Sequence, residues 1–378
     1  MKKNLRIVEY LVVLFILFLF SVVIGKYISS GFGSYISDYY IETKYEISRI
    51  WDNSFGKCDG NKEKFLIEGG YICETLEERN LADSEYKKIF ETYPLSVDGK
   101  EVIYSFLDEG DLSIADKMLN DVYDVDSNRY QPVYLEHITW IEDPYDQNYW
   151  RLLFYSLRPT NNLIYAWKET DDDRYRKKLE EIIDSYLTDG INKEETWSDN
   201  HAVAFRAMVL TNVWWKLREE KALSYDLNNK LLEGIKKHGD YLFDDNHYEA
   251  NYNHGINEAA ALLVMAENFP DLTGALEWKQ KAIKRLANSA TDLIDKDGSL
   301  IENSPYYQFY VLSKYAEIES YSKRYDVKIS DDFSLVVKKM VDYSLYLIKP
   351  DLSVPLVGAS IATNVHLNKI FKLLRLLF

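Results

Sequence analysis

Helical periodicity extends through this sequence from about residue 46 to residue 350 and constrains its fold more than any other feature. Around 172–187, Leu179, Ile183 and Tyr186 recur at the three- and four-residue spacing that places side chains on one face of a helix. Strand signals are weak because alternating β-branched residues are scarce. The sequence therefore predicts an all-α fold, with further helices near 201–219, 226–243, 254–267, 274–295, 306–324 and 331–348.

The short links between these helices predict how the helices pack. Helices joined by short links pack as antiparallel hairpins. A closed ring of such hairpins, an α/α toroid, is the natural arrangement for so many hairpins in one domain. The periodicity alone equally permits an open solenoid. We therefore predict a toroid over residues 46–350 and leave the solenoid as the alternative.

The N-terminus predicts a membrane-insertion segment over residues 1–27. Lys2, Lys3 and Arg6 precede an apolar run over 11–24, and basic residues in that place keep the terminus in the cytoplasm. With its flanking residues the run is long enough to span a bilayer, and it would also suit cleavage by a signal peptidase. We expect either a transmembrane anchor or a cleaved signal, then a stalk over 28–45, with the rest of the protein extracytoplasmic.

Composition narrows the classes of partner. The net charge of −16 argues against nucleic acid, whose binding requires a basic face. The 31 Tyr and 8 Trp suggest a carbohydrate-binding surface, with aromatic core packing as the alternative. The six histidines lack paired metal-ligand spacing, so we expect no metal and no cofactor. Cys58 and Cys73 can form a disulfide outside the cytoplasm or remain buried thiols.

Two links that precede predicted helices carry candidate catalytic residues. Asn253 and His254 stand side by side where a helix begins, so that an amide, backbone N–H groups and an imidazole can meet an anionic ligand. Tyr307 follows the other link and can act as base and then as acid. Glu302, in the same link, is a candidate substrate-binding residue, and it can instead orient a neighbour or cap a helix. The alternatives are a capping Asn beside a structural His, and aromatic packing.

A third link, at 195–201, adds candidate substrate-binding residues. His201 and Arg206 lie five positions apart, and both can border a pocket. Arg206 is the most plausible positive charge for an acidic sugar, with a buried Arg that fixes its helix as the alternative. Trp197 can form a sugar platform or fill the core. Beside Tyr307, we also expect Tyr306 and Tyr310 to contact substrate.

In their order and spacing, these links resemble the helical domain of the heparinase II/III-like polysaccharide lyases, a family that includes alginate lyases. The resemblance covers roughly residues 140–360. The motifs that carry it are Trp140, Tyr149-Trp150-Arg151, Trp197-Ser198-Asp199-Asn200-His201 with Arg206, Asn253-His254-Gly255, Asn268-Phe269-Pro270, Asp297-Gly298, Glu302-Asn303-Ser304-Pro305-Tyr306-Tyr307 and Pro355-Leu356-Val357-Gly358.

The resemblance implies an incomplete α/α toroid followed by a β-sandwich domain. It also implies β-elimination, in which the C5 proton of a uronic acid is removed and the 4-O-glycosidic bond breaks. By the same resemblance, Asn253 would neutralise the uronate carboxylate, and His254 would assist or serve as base. Tyr307 would be the base, or the acid at the leaving oxygen. The implied partner is an acidic polysaccharide.

The sequence departs from the family pattern at two places. Gln308 follows the motif Tyr, where the family usually has His. Residues 351–378 resemble a truncated start of the following domain, so we expect the β-sandwich, with the catalytic His it commonly supplies, to be absent. The predicted function is a polysaccharide lyase at the cell surface. The alternatives are a catalytically incomplete module that binds glycan or a partner protein, and a toroid hydrolase with Glu302 and Asp199 about 5 to 9 Å apart.

Overall fold

The computed structural model describes residues 63–67, 70–74, 76–93 and 110–360. The predicted membrane segment and stalk, Cys58 and the C-terminal residues 361–378 lie outside these ranges. The chain divides into two compact units, and the boundary lies between Arg79 and Asn80. In the first unit, β1 (Glu63–Ile67) and β2 (Gly70–Glu74) form an antiparallel hairpin. Helix α1 (Leu76–Thr92) crosses the division.

The second unit is mostly helical. Helix α2 (Leu112–Met118) leads into a short antiparallel pair, β3 (Val122–Tyr123) with β4 (Val133–Tyr134). The remaining helices are α3 (Asn148–Tyr155), α4 (Asn161–Thr170), α5 (Asp173–Thr188), α6 (Asn200–Glu219), α7 (Tyr225–Phe243), α8 (Asn253–Asn268), α9 (Ala275–Asp292), α10 (Pro305–Tyr325) and α11 (Phe333–Tyr346).

The helices that periodicity predicts beyond residue 170 are confirmed, with ends that differ by at most a few residues. The predominance of helix is confirmed too. The structure differs from the predicted all-α fold in the short strand pairs β1–β2 and β3–β4. The strands β3 and β4 have two residues each, which is too short to show an alternating pattern in the sequence. Among the described residues, no helix is both long enough and apolar enough to span a membrane.

The helices from α4 to α11 pack as two layers of antiparallel hairpins. The hairpins pair α4 with α5, α6 with α7, α8 with α9, and α10 with α11. Within one layer, α4, α6, α8 and α10 pack side by side in that order, and α5, α7, α9 and α11 do the same in the other. Because the hairpins are antiparallel, all helices of a layer run in the same direction. The N-termini of α6, α8 and α10 therefore lie at one end of the array.

The two layers differ in burial. Every residue of α8 except His254 is buried, because α8 contacts helices on several sides. In α9, burial follows one stripe that includes Trp278, Ala282 and Leu286, so the opposite face is exposed. The layer that contains α8 is therefore the interior one.

Local hydrogen bonds fix the links that lead into these helices. Asp199 caps α6 by accepting the N–H of Ala202 at 3.0 Å, and Ser304 caps α10 by accepting the N–H of Tyr307 at 3.3 Å. Gln308 accepts the N–H of Leu300 at 2.7 Å and donates to the carbonyl of Gly298 at 3.0 Å. Gln308 therefore anchors the link before α10.

Candidate active site

The N-terminal turns of α6, α8 and α10 meet through side chains. The rings of His201 and His254 lie 4.4 Å apart between centroids, with an angle of 31° between their planes. Asn257 places its side-chain nitrogen 2.6 Å from Nε2 of His201 and donates to the Tyr310 hydroxyl at 3.0 Å. The three links therefore lie at the same end of the helical array. One cluster joins the predicted residues of three helices.

Asn253 begins α8 and binds a carboxylate from another link. Its side-chain nitrogen donates to Oε1 and Oε2 of Glu302 at 3.2 and 3.3 Å, and its main-chain N–H donates to Oε1 at 3.2 Å. Tyr252, at the capping position, makes no side-chain cap hydrogen bond. Glu302 therefore supplies the cap of α8, and the amide predicted to bind a uronate carboxylate can bind one.

His254 forms a dyad with Glu249, a residue that the sequence analysis did not select. Its Nδ1 lies 3.0 Å from Oε2 of Glu249, and 41% of its side chain is exposed. When Nδ1 carries the proton and donates to the carboxylate, Nε2 is free to accept a proton from a ligand. The dyad thus suits His254 to the role of general base.

The buried acid Glu258 holds the main chain of the dyad residue Glu249. Glu258, which is fully buried, accepts the main-chain N–H of Glu249 at 2.9 Å. Burial raises the pKa of Glu258 to about 8. The position of Gly255 adds to the fit, because a Cβ there would lie 2.5 Å from the carbonyl oxygen of Glu249. The link that carries Glu249 is therefore held close to α8.

His201 is buried and supports His254 rather than carrying protons. Burial, and then the positive charges of His254, Lys314 and Arg158, hold the pKa of His201 well below its usual value. A neutral His201 ring can stack on His254 without bringing two cations together. Its other face stacks on Phe205, with 4.5 Å between centroids.

Two tyrosines of α10, Tyr307 and Tyr310, have raised pKa values. Burial raises the pKa of Tyr307, and its electrostatic interactions with Tyr306 and Glu302 raise it further. Burial raises the pKa of Tyr310 to about 12. Because burial and the nearby Glu302 carboxylate both favour the protonated form of Tyr307, this residue is suited to act as a proton donor. The ring of Tyr307 lies 5.3 Å from that of Tyr306 and 6.1 Å from that of Tyr310.

Arg206 does not reach this cluster, contrary to its predicted role as the positive charge for a sugar. It is 0% exposed and donates to Nε2 of His238 at 2.9 Å, to the carbonyl of Tyr155 at 2.6 Å and to the carbonyl of Thr196 at 2.8 Å. Trp197 packs beside it, 4.8 Å from the ring of His238. Arg206 therefore fixes its helix to its neighbours and Trp197 fills the core, because contacts within the core occupy the guanidinium and the indole ring.

The cations that do lie near the cluster are Lys314 and Arg158. Lys314 is 3% exposed, and its Nζ lies 5.4 Å from the ring centre of Tyr310. Burial lowers the pKa of Lys314 to about 7. Arg158 lies over the ring of Phe205 at 4.8 Å. The seven-residue interval from Tyr307 to Lys314 places both on one helix face, a signal that could have been found in the sequence.

Asp199, a candidate in the hydrolase alternative, caps α6 as described above. It also lines a cavity of about 140 Å³ together with Arg151 and Glu195. Within the described residues, no group of three or more His, Cys, Asp or Glu side chains could hold a metal ion.

Comparison of the sequence with models of known protein families identifies the family of this chain. The family model for the heparinase II/III N-terminus matches residues 84–378. The chain belongs to the heparinase II/III family. No curated protein is similar enough in sequence to give a significant match.

Two solved structures show the same fold for this helical region. A crystal structure of heparinase III aligns with a TM-score of 0.62 and 17% identity, covering 73% of this chain and 44% of its own. The heparan sulfate lyase HepC from Pedobacter heparinus aligns with a TM-score of 0.58 and 19% identity, covering 76% of this chain and 46% of its own. This chain therefore spans about half the length of the heparinases that it matches.

Proposed function

We propose that this chain cleaves a uronic-acid-containing polysaccharide by β-elimination at the cell surface. The observation that carries the proposal is the connected cluster at the ends of α6, α8 and α10. It joins Asn253, which already binds a carboxylate, to His254 with its Glu249 partner and to the protonated Tyr307. The arrangement of hairpins as an incomplete α/α toroid would place this cluster in a cleft open to a polymer.

In the proposed reaction, Asn253 and the N-terminus of α8 bind the uronate carboxylate and withdraw charge from it, which acidifies the C5 proton. His254 accepts that proton at Nε2, while Glu249 stabilises the imidazolium that results. The electron pair from the C5–H bond forms the C4–C5 double bond, and the bond from C4 to the glycosidic oxygen breaks. Tyr307 donates its proton to the leaving oxygen. The proton that His254 accepted then passes to solvent, and Tyr307 regains a proton from solvent.

The proposed substrate class is an acidic glycosaminoglycan of the heparan sulfate type. HepC is a heparan sulfate lyase by name, and the match to it supports the class. Arg158 adds positive charge close to His201, and Lys314 adds positive charge there when it is protonated, in a chain whose net charge is −16. The predicted N-terminal membrane segment supports the proposed location, where such polymers are found.

The test is to incubate the purified full chain with a panel of uronate polymers and record the ultraviolet absorbance of the unsaturated product. We expect absorbance to rise with the wild type and to fall at least about a hundredfold in rate with Tyr307→Phe, the loss of one general acid. Tyr346→Phe, at a residue exposed on α11, is the matched control and should leave the rate unchanged. If no polymer is cleaved while binding is retained, the chain is a glycan-binding module.

A further inference from the structure

A carboxylate of the chain itself occupies the proposed uronate-binding position. Both nitrogens of Asn253, in the side chain and the main chain, contact Glu302 at 3.2 to 3.3 Å. Asn253 is 7% exposed, so few other directions are open to its amide. A ligand carboxylate that used these donors would either displace Glu302 or lie beside it.

Two carboxylates that share one amide repel each other strongly. Two like charges about 4 Å apart near a protein surface still repel each other, although water and salt weaken the repulsion. The positive end of α8 favours one anion, because its effect corresponds to roughly half a charge. The Glu302 carboxylate is already the anion at this helix end. A ligand carboxylate that enters beside Glu302 is therefore repelled by it, and a neutral ligand is not.

We propose that Glu302 is an internal competitor for the carboxylate of the polysaccharide and so sets the charge selectivity of the site. The inference rests on the proposed function, because it assumes that Asn253 binds a uronate. An acidic sugar must move the Glu302 side chain away from Asn253 before the full set of donors becomes available. A neutral sugar leaves Glu302 in place and meets a carboxylate that can accept its hydroxyl groups.

The position of Glu302 makes such a displacement feasible. It lies in the link between α9 and α10, next to Ile301 and Asn303, which are both exposed. Ser304, which follows, is fixed by its cap of α10 and lies 3.2 Å from the hydroxyl of Ser360. The Glu302 side chain can therefore rotate away from α8 while Ser304 keeps the start of α10, and with it Tyr307, in place.

The experiment measures the dissociation constant of a uronate oligosaccharide and of its carboxyl-reduced, neutral counterpart by titration calorimetry. The full chain carries Tyr307→Phe throughout, so that the ligand is not consumed. Glu302→Gln keeps an oxygen that can accept from Asn253 and removes the charge, while Glu302→Asp keeps the charge and withdraws it by one methylene group. Glu277→Gln, at an exposed residue of α9, is the control for loss of one negative charge.

We expect Glu302→Gln to bind the acidic ligand about tenfold more tightly and the neutral ligand no more tightly, as relief of a largely screened repulsion requires. Glu302→Asp should give about a threefold gain, which tests the proposal even if the Gln variant fails to fold. Equal affinities in wild type and both variants, or a gain for both ligands alike, would overturn the proposal and leave the proposed function standing. If neither ligand binds any variant, both are refuted.

Discussion

Replacing Arg206 with Met separates the two roles that its position in the sequence allows. The guanidinium is 0% exposed, and it donates to His238 and to two main-chain carbonyls within 2.9 Å. Met fills most of the volume but leaves the two carbonyls without this donor, at about 1–3 kcal/mol each, while Nε2 of His238 keeps the Tyr186 hydroxyl at 3.3 Å. The substitution also removes the desolvation cost of the cation. We expect the free energy of unfolding to fall by about 3–5 kcal/mol.

The assay is equilibrium urea unfolding of the full chain, with the thermal midpoint as a second measure. At about 2–4 °C per kcal/mol, the midpoint should fall by roughly 10 °C. Arg174→Met is the control, because that side chain is 73% exposed and pairs with Asp172, the residue that caps its helix, so its loss should leave stability nearly unchanged. The reasoning fails if Arg206→Met unfolds like the control while affinity for acidic oligosaccharides drops.

Three further predictions concern the support of the dyad. Glu249→Gln should lower kcat for elimination by about 10- to 100-fold with an unchanged thermal midpoint, since the imidazolium of His254 loses its counter-charge; an unchanged rate would exclude the dyad. Glu258 has a pKa of about 8 when folded against an ordinary value of 4.5, so the folded state holds the extra proton between these values. Stability should therefore fall as the pH rises through that window, by up to about 1.4 kcal/mol per pH unit, and Glu258→Gln should flatten the slope in urea titrations; equal slopes would contradict the assignment. Gly255→Ala places a Cβ 2.5 Å from the carbonyl oxygen of Glu249, so the link must move, and the protein should be destabilised by about 1–3 kcal/mol, measured by thermal unfolding; a neutral effect would show that the link adjusts freely.

The sequence determined the helices and the order of the links because both depend on local information. A period of three to four residues is a property of each segment alone, which is why α5 to α11 lie close to their predicted ranges. Antiparallel hairpins then require that alternate helices begin at the same end. The meeting of His201, His254 and the start of α10 follows from these two facts, and the structure confirms it.

Only the tertiary structure decided which polar side chains belong to the site and which to the core. Arg206 and Lys314 both lie on interior helices. The four-residue interval on α10 places Lys314 beside Tyr310, but no local pattern tells that Arg206 is enclosed by carbonyls from other segments. Glu302 and Asn253 are far apart in sequence, and their contact depends on how two links are placed by packing. Hydrogen-bond partners that come from distant segments have no periodic signature, so the sequence supplied the candidates and the packing of the helices selected among them.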